Sequence, residues 1–358
     1  MRILDLYILR RFVMTLLYAL LVFILIVIFI DMVGNLGKFL DKNVPNLIII
    51  QYYLFYIPYL FILVLPVAML LASLFGIGQL ARYNELIAIK SEGISLNRIL
   101  LPLLFFSVLV SLVALIFAEI VVPPANHGKS RIKNEYLESI NRPIKTRITN
   151  IFLRDKLDRR IFIGYYDSRD KTAHKVSIQK YIENKIVERL DAPQMKWQDS
   201  TWVLLSGYKR FFSGKNEEAV PFDTLQDNDI DFKPEQLAQT QKEPEDMSYK
   251  ELNYFILEVK RNGGNIDRWM VDLYLKISFP FANFVMVLFG APLASNKKRS
   301  GAIVGFIISL MICFIYFGFI KFVQTLGHNG ALSPLLSAWL PNGIFFVSGI
   351  ILLFKTKT

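Results

Sequence analysis

Six stretches of the chain are apolar at nearly every position, at about 12–33, 48–77, 99–122, 269–294, 301–323 and 335–354. A helix needs roughly 20 mostly apolar residues to cross a bilayer, so each stretch predicts a membrane span. Between the third and fourth the rhythm changes. RITNIFLR, RRIFIGYY, HKVSIQKY and KIVERL approach period-two alternation with β-branched and aromatic residues. WVLLSGYKRFF follows, with Ser206-Gly207 read as a turn. Short strands separated by polar breaks predict an antiparallel sandwich or roll. A short polar helix is predicted around 129–139, after VVPP ends the third span, and a polar linker over 233–247. SYKELNYFILEVKRNGG then predicts a capped amphipathic helix ending at Gly263 or Gly264. The architecture is an α-helical membrane protein of three plus three spans, residues 1–122 and 269–358, with an all-β insertion over 123–268.

Composition sharpens this division. The insertion holds 26 of the 41 Lys and Arg residues and 23 of the 30 Asp and Glu residues, an ordinary soluble balance. The apolar flanks keep most of the net charge of +11, which points to membrane topology before nucleic acid. Arg2, Arg10, Arg11, Arg82, Lys90, Arg98, Lys297, Lys298, Arg299, Lys355 and Lys357 all fall at one side if the amino terminus is inside. That bias predicts cytoplasmic termini and an extracytoplasmic insertion. The first span is too long for a cleaved leader and is read as a retained anchor. Trp269 and Trp339 sit near span ends, as interfacial aromatics do. Pro58, Pro66 and Pro280 fall inside spans and predict kinks. They serve packing geometry or line a cavity that opens and closes.

The chemistry of catalysis is missing. Cys313 is the single cysteine, and His127, His174 and His328 lack metal-ligand spacing. The nearest approach to a phosphate-binding loop, PPANHGKS, has Pro123 where the first glycine belongs. The chain is therefore read as no enzyme, with no metal and no cofactor of its own. Asp31, Glu119, Asp272, Lys276 and Lys321 all lie towards the outer ends of their spans. Asp272 and Lys276 are spaced to pair, and the set reads as interfacial anchors or as a charged rim for an anionic amphiphile.

One polar stretch stands between two spans that a few residues could join: GQLARYNELIAIKSEGISLNR, residues 78–98. It predicts a short amphipathic helix at about 79–92, stopped by Gly93. Leu80, Tyr83 and Ile87 would share a face, and Arg82 and Glu85 would pair. Such a helix lies on headgroups or docks into a partner's groove.

Several blocks, in order, resemble the LptF/LptG family of lipopolysaccharide export permeases. They are ILDLYILRRF, LPVAMLLASLFGIGQLARYNELIAIKSEGIS, KWQDSTWVLLSGYKRF, KISFPFANFVMVLFGAPLASNKKRSG and LGHNGALSPLLSAWLPNGIFF. The G-type member fits slightly better. The resemblance implies two paralogous permease subunits over a dimeric cytoplasmic ATPase, which binds the ATP. It implies extraction of lipopolysaccharide from the bacterial inner membrane into a periplasmic β-jellyroll. A single-span periplasmic accessory protein and a periplasmic bridge protein complete the partners. Arg82, Tyr83, Glu85, Leu86 and Ile87 match the coupling segment, with Glu85 its characteristic acid. Lys38, Lys42, Lys276 and Lys321 are the expected lipid-facing cations, although related members carry more lysines after the first span. The competing reading is a mechanotransmission protein, which couples an ATPase to a periplasmic partner without moving lipid.

Overall fold

The computed structural model describes residues 3–137, 147–156, 159–167, 169–182, 185–198, 201–213, 216–227, 230, 232–234, 244–261, 265–294 and 302–355. Arg2, Lys297, Lys298, Arg299, Lys357, Gly263, Gly264 and most of the polar linker lie outside them. The chain divides into two units. One comprises Met1–Leu137, Pro244–Asn253 and Asp267–Thr358, and the other comprises Glu138–Glu243 and Tyr254–Ile266.

Among the described residues of the first unit, six helices are long and apolar enough to span a membrane. They are α1 (Ile3–Asp41), α2 (Asn46–Arg82), α4 (Leu96–Ile120), the broken pair α7 (Asp267–Ser278) and α8 (Ala282–Ala294), α9 (Ala302–His328) and α10 (Pro334–Lys355). The short helix α3 (Glu85–Ser91) lies between α2 and α4. At about 1.5 Å per residue, the 39 residues of α1 outreach a hydrocarbon core of about 30 Å. The centre of the bundle is α2 and the α7–α8 pair. Their apolar windows are 72% and 67% buried, against 17% for α1.

Among the three prolines predicted to kink spans, only Pro280 ends a helix. Pro58 and Pro66 lie inside an uninterrupted α2, whereas a 3-10 turn at Phe279–Phe281 separates α7 from α8. The carbonyls freed there are met from inside the protein. Asn342 Nδ2 donates to Ser278 O at 2.7 Å and Asn283 Nδ2 to Pro280 O at 2.9 Å. Tyr316 Oη donates to Asn342 Oδ1 at 2.6 Å, tying α9 into the same network. The short polar helix also starts earlier than its polarity suggested. It is α5 (Val122–Ile132), with prolines in its first turn, where a missing N–H costs nothing.

The second unit contains a six-stranded antiparallel sheet in the order β1-β2-β3-β4-β5-β6. The strands are β1 (Arg147–Lys156), β2 (Arg159–Asp167), β3 (Thr172–Ile182), β4 (Lys185–Gln198), β5 (Thr201–Ser213) and β6 (Asn216–Asp227). A flat sheet spaces neighbouring strands about 4.8 Å apart, which would separate β2 from β6 by about 19 Å. Arg159 of β2 nevertheless makes an ion pair with Asp227 of β6. Tyr166 of β2 meets Trp202 of β5 with ring centroids 6.3 Å apart. The sheet is therefore wound about its own apolar face, as a jellyroll-like domain requires. Ile161, Ile163, Val176, Ile178, Leu190, Met195, Trp202 and Leu204 fill the interior.

The alternation is only approximate for a physical reason. Each ladder skips the same transverse row: Gly164 opposite Lys175, Lys175 opposite Pro193, and Ser206 opposite Asp223. Lys175 and Ser206 have φ of 53° and 52°. Across this crease the inward phase shifts by one residue. Inward Ile161 and Ile163 give way to Tyr166, and inward Leu190 and Ala192 give way to Met195. Ser206-Gly207 is thus a point on this crease inside β5, not the turn expected. A Cβ on Gly207 would run into Asp191 O and lie 2.5 Å from Phe222 Cζ.

Candidate functional sites at the two ends of the bundle

The polar stretch after α2 is not one helix. α2 runs on to Arg82, the chain turns at Tyr83-Asn84, and α3 begins at Glu85. Asn84 takes the left-handed conformation, φ 61°, which asparagine tolerates better than most residues. Gly93, φ 83°, follows the end of α3, and Ser95 caps α4 by accepting from Arg98 N. The break separates the face expected from Leu80, Tyr83 and Ile87. Leu80 is fully buried in the bundle, while Tyr83 and Ile87 are 63% and 54% exposed. Leu86 is the buried anchor of α3.

Glu85 does not pair with Arg82, whose guanidinium instead lies 5.8 Å from the Tyr83 ring. Its carboxylate faces α1. Tyr7 Oη donates to Oε2 at 2.7 Å and Arg11 Nη2 to Oε1 at 3.1 Å. Arg11 also lies over the Tyr7 ring at 4.6 Å. One helical turn away, Arg98 of α4 is bound to Asp5 of α1 at 2.9 Å. Asp5, Tyr7 and Arg11 of α1 and Arg98 of α4 thus form polar ties at this end together with Glu85 of α3. Of the residues expected to couple, Arg82, Tyr83 and Ile87 are exposed.

Sequence reasoning treated Arg11 and Arg98 only as topology charges. The i,i+4 spacing of Tyr7 and Arg11 was the available signal. Their acceptor lies more than seventy positions away, where no local pattern reaches.

At the opposite end the four predicted cations have different fates. Lys38 is exposed and donates to Asn35 Oδ1 at 2.8 Å. Lys321 is exposed and donates to Gln324 Oε1 at 3.1 Å. Lys42 is turned inward onto the carbonyl of Leu137, where the π turn Lys133–Leu137 ends. Lys276 is half-buried within electrostatic reach of Glu119, Glu245, Asp246 and Asp272. Acidic neighbours of that number leave it little net attraction for an anion. The expected Asp272–Lys276 pair is replaced. Asp272 Oδ1 accepts from Gln324 Nε2 at 2.9 Å and sits 2.9 Å from His328 Nε2.

An aromatic cluster of Phe39, Tyr52, Tyr53 and Tyr56 closes this end, with Tyr53 Oη donating to Asp31 at 3.1 Å. Lys129, placed by the sequence only in a short polar helix, joins this cluster. Its ammonium lies 3.2 Å from the centroid of the Tyr56 ring, and burial lowers its pKa below the ordinary lysine value. Glu119 accepts from Tyr249 N at 2.7 Å and so holds the start of α6 (Tyr249–Arg261). Ser248 and Glu251 form the reciprocal capping box there.

α1 links the two ends. Its buried positions are Asp5, Ile8, Phe12, Leu16, Ala19, Leu20 and then only Phe39. Between Leu21 and Leu36 it presents Leu25, Ile26, Phe29, Ile30 and Val33 outward.

Comparison with known proteins agrees with this arrangement. The sequence profile described as "Lipopolysaccharide export system permease LptF/LptG" matches residues 6–355. The lipopolysaccharide export system permease protein LptG of Escherichia coli strain K12 is 20% identical over 295 residues, covering 81% of each chain. The protein of the same name from Escherichia coli O6:H1 strain CFT073 matches equally. Both relatives are G-type members, the type that the sequence slightly favoured. With six spans, an inserted β roll and a match from end to end, the chain belongs to the LptF/LptG family of lipopolysaccharide export permeases.

Proposed function

We propose that the chain is one of two paired permease subunits that lift lipopolysaccharide out of the inner membrane. A dimeric ATPase docked on the cytoplasmic side drives the step. The β roll passes the lipid to periplasmic partners. The observation that carries the lipid reading is the outer half of α1. Full burial of α1 lapses after Leu20. One face stays packed through Phe23, Ile24, Val27 and Ile28, while Leu25, Ile26, Phe29, Ile30, Val33 and Leu36 form an outward apolar face, and exposed Lys38 stands just beyond. An amphiphile with acyl chains and an anionic headgroup matches that sequence of surfaces. Lys321, also exposed near the outer end of a span, is the second headgroup candidate. A single exposed ammonium contributes modestly to binding a phosphate, so the two act as a rim and not as a pocket.

The inside-positive bias supports an orientation with α3 in the cytoplasm and the β roll in the periplasm. In that orientation Arg82, Tyr83 and Ile87 face an ATPase, with Glu85 beneath them. No phosphate-binding loop occurs in this chain, so hydrolysis belongs to the partner.

The test is to purify the chain with the proteins encoded beside it and to identify what accompanies it. We expect an ATPase, a second permease subunit and bound lipid A-type glycolipid, and ATP-dependent lipid release from proteoliposomes. An Asp170→Cys variant should react with an impermeant thiol reagent from the periplasmic side. Recovery of a periplasmic hydrolase with no glycolipid would replace this reading by mechanotransmission. Labelling of position 170 from the cytoplasmic side alone would invert the orientation.

A further inference from the structure

We propose that Tyr7, Arg11 and Glu85 form a joint that carries movement of α3 into α1. This inference rests on the reading that α3 receives a partner ATPase. α3 is seven residues long and bounded by two turns, each with a left-handed residue, Asn84 before it and Gly93 after it. A short helix between two such turns can tilt as a piece, and Leu86 is its only buried residue. What fixes its direction relative to α1 is therefore Glu85.

Both oxygens of that carboxylate are engaged by α1, one by Tyr7 and one by Arg11. Thr15 Oγ1 donates to the Arg11 carbonyl at 2.9 Å, one turn further along the same helix. The acid that the sequence pattern assigns to the partner is directed inside the chain. It acts as a positioning residue, while Arg82, Tyr83 and Ile87 make the outward surface.

The receiving helix suits this role. α1 is most deeply packed through its first half, whereas its outer half keeps one face on the bundle and leaves Leu25, Ile26, Phe29, Ile30 and Val33 exposed. Apolar helices in a bilayer gain little from one another beyond van der Waals packing, because lipid tails are equally apolar. Charged contacts at the membrane edge are directional and hold where greasy faces slide. The joint is also poorly insulated against loss. Arg11 Nη1 is buried without an acceptor, so Glu85 provides the contact that its guanidinium makes through Nη2. The Asp5–Arg98 pair ties the same end of α1 to α4, so α1 is held on both sides of the α3 turn.

The test uses the complex with its ATPase in proteoliposomes loaded with lipopolysaccharide, reading lipid released per ATP hydrolysed. Arg11→Gln should lower that ratio at least about fivefold, the low end of coupling between sites, while the ATPase still co-purifies. Arg11→Lys should stay within about twofold, because a single N–H makes the contact. Adding Glu85→Gln to Arg11→Gln should cost less than about twofold more, since one interaction is removed twice. Wild-type ratios for both Arg11→Gln and Tyr7→Phe would overturn the joint. Full additivity of Glu85→Gln and Arg11→Gln would overturn it as well, making Glu85 a partner contact alone.

If the wild-type complex retains no ATPase and releases no lipid, the functional reading fails and the joint is judged separately. In a Cys313→Ser background, spin labels at Met14→Cys and Ile87→Cys should give a narrow distance distribution that broadens with Arg11→Gln. An unchanged distribution would overturn the joint.

Discussion

The helix bundle and the β roll each break their regular backbone once in a conspicuous place, and they treat the freed groups in opposite ways. In the bundle, the break at Phe279–Phe281 frees carbonyls inside a membrane span. Asn342 reaches across from α10 to Ser278 O, and Asn283 folds back onto Pro280 O. Hydrocarbon offers no donors, so the protein must bring its own. Two of the buried atoms left without a partner, Ser278 Oγ and Asn283 Oδ1, sit at this same break.

In the roll, the crease omits ladder pairs across β2, β3, β4 and β5. Lys175 and Ser206 are exposed there, and a groove of about 420 Å³ lined by Lys175, Pro193, Ser206 and Tyr208 opens over it. Exposed as it is, the crease lies within reach of solvent. Irregular backbone is thus expensive in one region and cheap in the other, because of what surrounds it.

If that is right, the roll owes its stability to its apolar face and not to an unbroken ladder. Trp202→Ala is the strongest challenge. The indole is fully buried, meets Trp197 and Tyr166 edge-on, and donates to Phe232 O at 2.8 Å. Truncation should cost about 3–5 kcal/mol, seen as loss of protease resistance over 147–227 at lower urea in the detergent-purified chain. A loss below about 1 kcal/mol would mean that the ladder carries the fold after all.

Gly207→Ala probes the crease from the other side. Its Cβ would meet Asp191 O, which is backbone and cannot rotate away, and also the Phe222 ring. The expected cost is about 1–3 kcal/mol by the same urea assay. A silent substitution would show that the crease is loose enough to re-form around a methyl group.

These two regions also differ in how far the sequence discloses them. The six spans are legible because an unbroken apolar run has few other uses, and Pro280 was visible as a kink. β1 and β2 were legible across the crease, whereas β5 was legible only on either side of Ser206-Gly207. The second half of β4 was obscured by Pro193, and β6 by Glu217, Glu218 and Pro221, all poor strand signals. In three dimensions Pro193 falls where no ladder bond is made, and Pro221 falls on an edge strand, the two places that admit proline. At α3, the apolar rhythm through Leu80, Tyr83 and Ile87 runs straight across a break made by the conformation of Asn84. The Tyr7–Glu85 and Arg11–Glu85 contacts arise from the packing of distant segments, which periodicity cannot express.

Asn342→Leu tests the bundle's half of the comparison. It removes the donor to Ser278 O and the acceptor for Tyr316 Oη together. In water-soluble cores, stranded partners of this kind cost about 1–3 kcal/mol. Hydrogen bonds between membrane helices average nearer 0.6 kcal/mol, because the separated helices find other partners. A loss of about 1–2 kcal/mol in a detergent unfolding titration is expected, with Asn342→Gln recovering part of it. No loss at all would mean that another donor already serves the break, and that the bundle is as tolerant of it as the roll is of its crease.

The smallest effect is expected from Pro193→Ala, and it separates the two regions most cleanly. Proline inside a strand normally removes one ladder bond. Here position 193 lies opposite Lys175 on one side and Ser206 on the other, and both ladders already skip that row. Alanine restores an N–H that has no carbonyl waiting for it. What changes is the unfolded chain, which regains freedom that proline had removed, a cost of about 0.4–1 kcal/mol. The variant should therefore unfold at slightly lower urea than the wild type, with the roll otherwise intact. Stabilisation by more than about 1 kcal/mol would show that the crease is a ladder waiting for its missing donor. Irregular backbone in the roll would then be a local consequence of one proline, and the contrast with the membrane-embedded break at Pro280 would lose its basis in solvent.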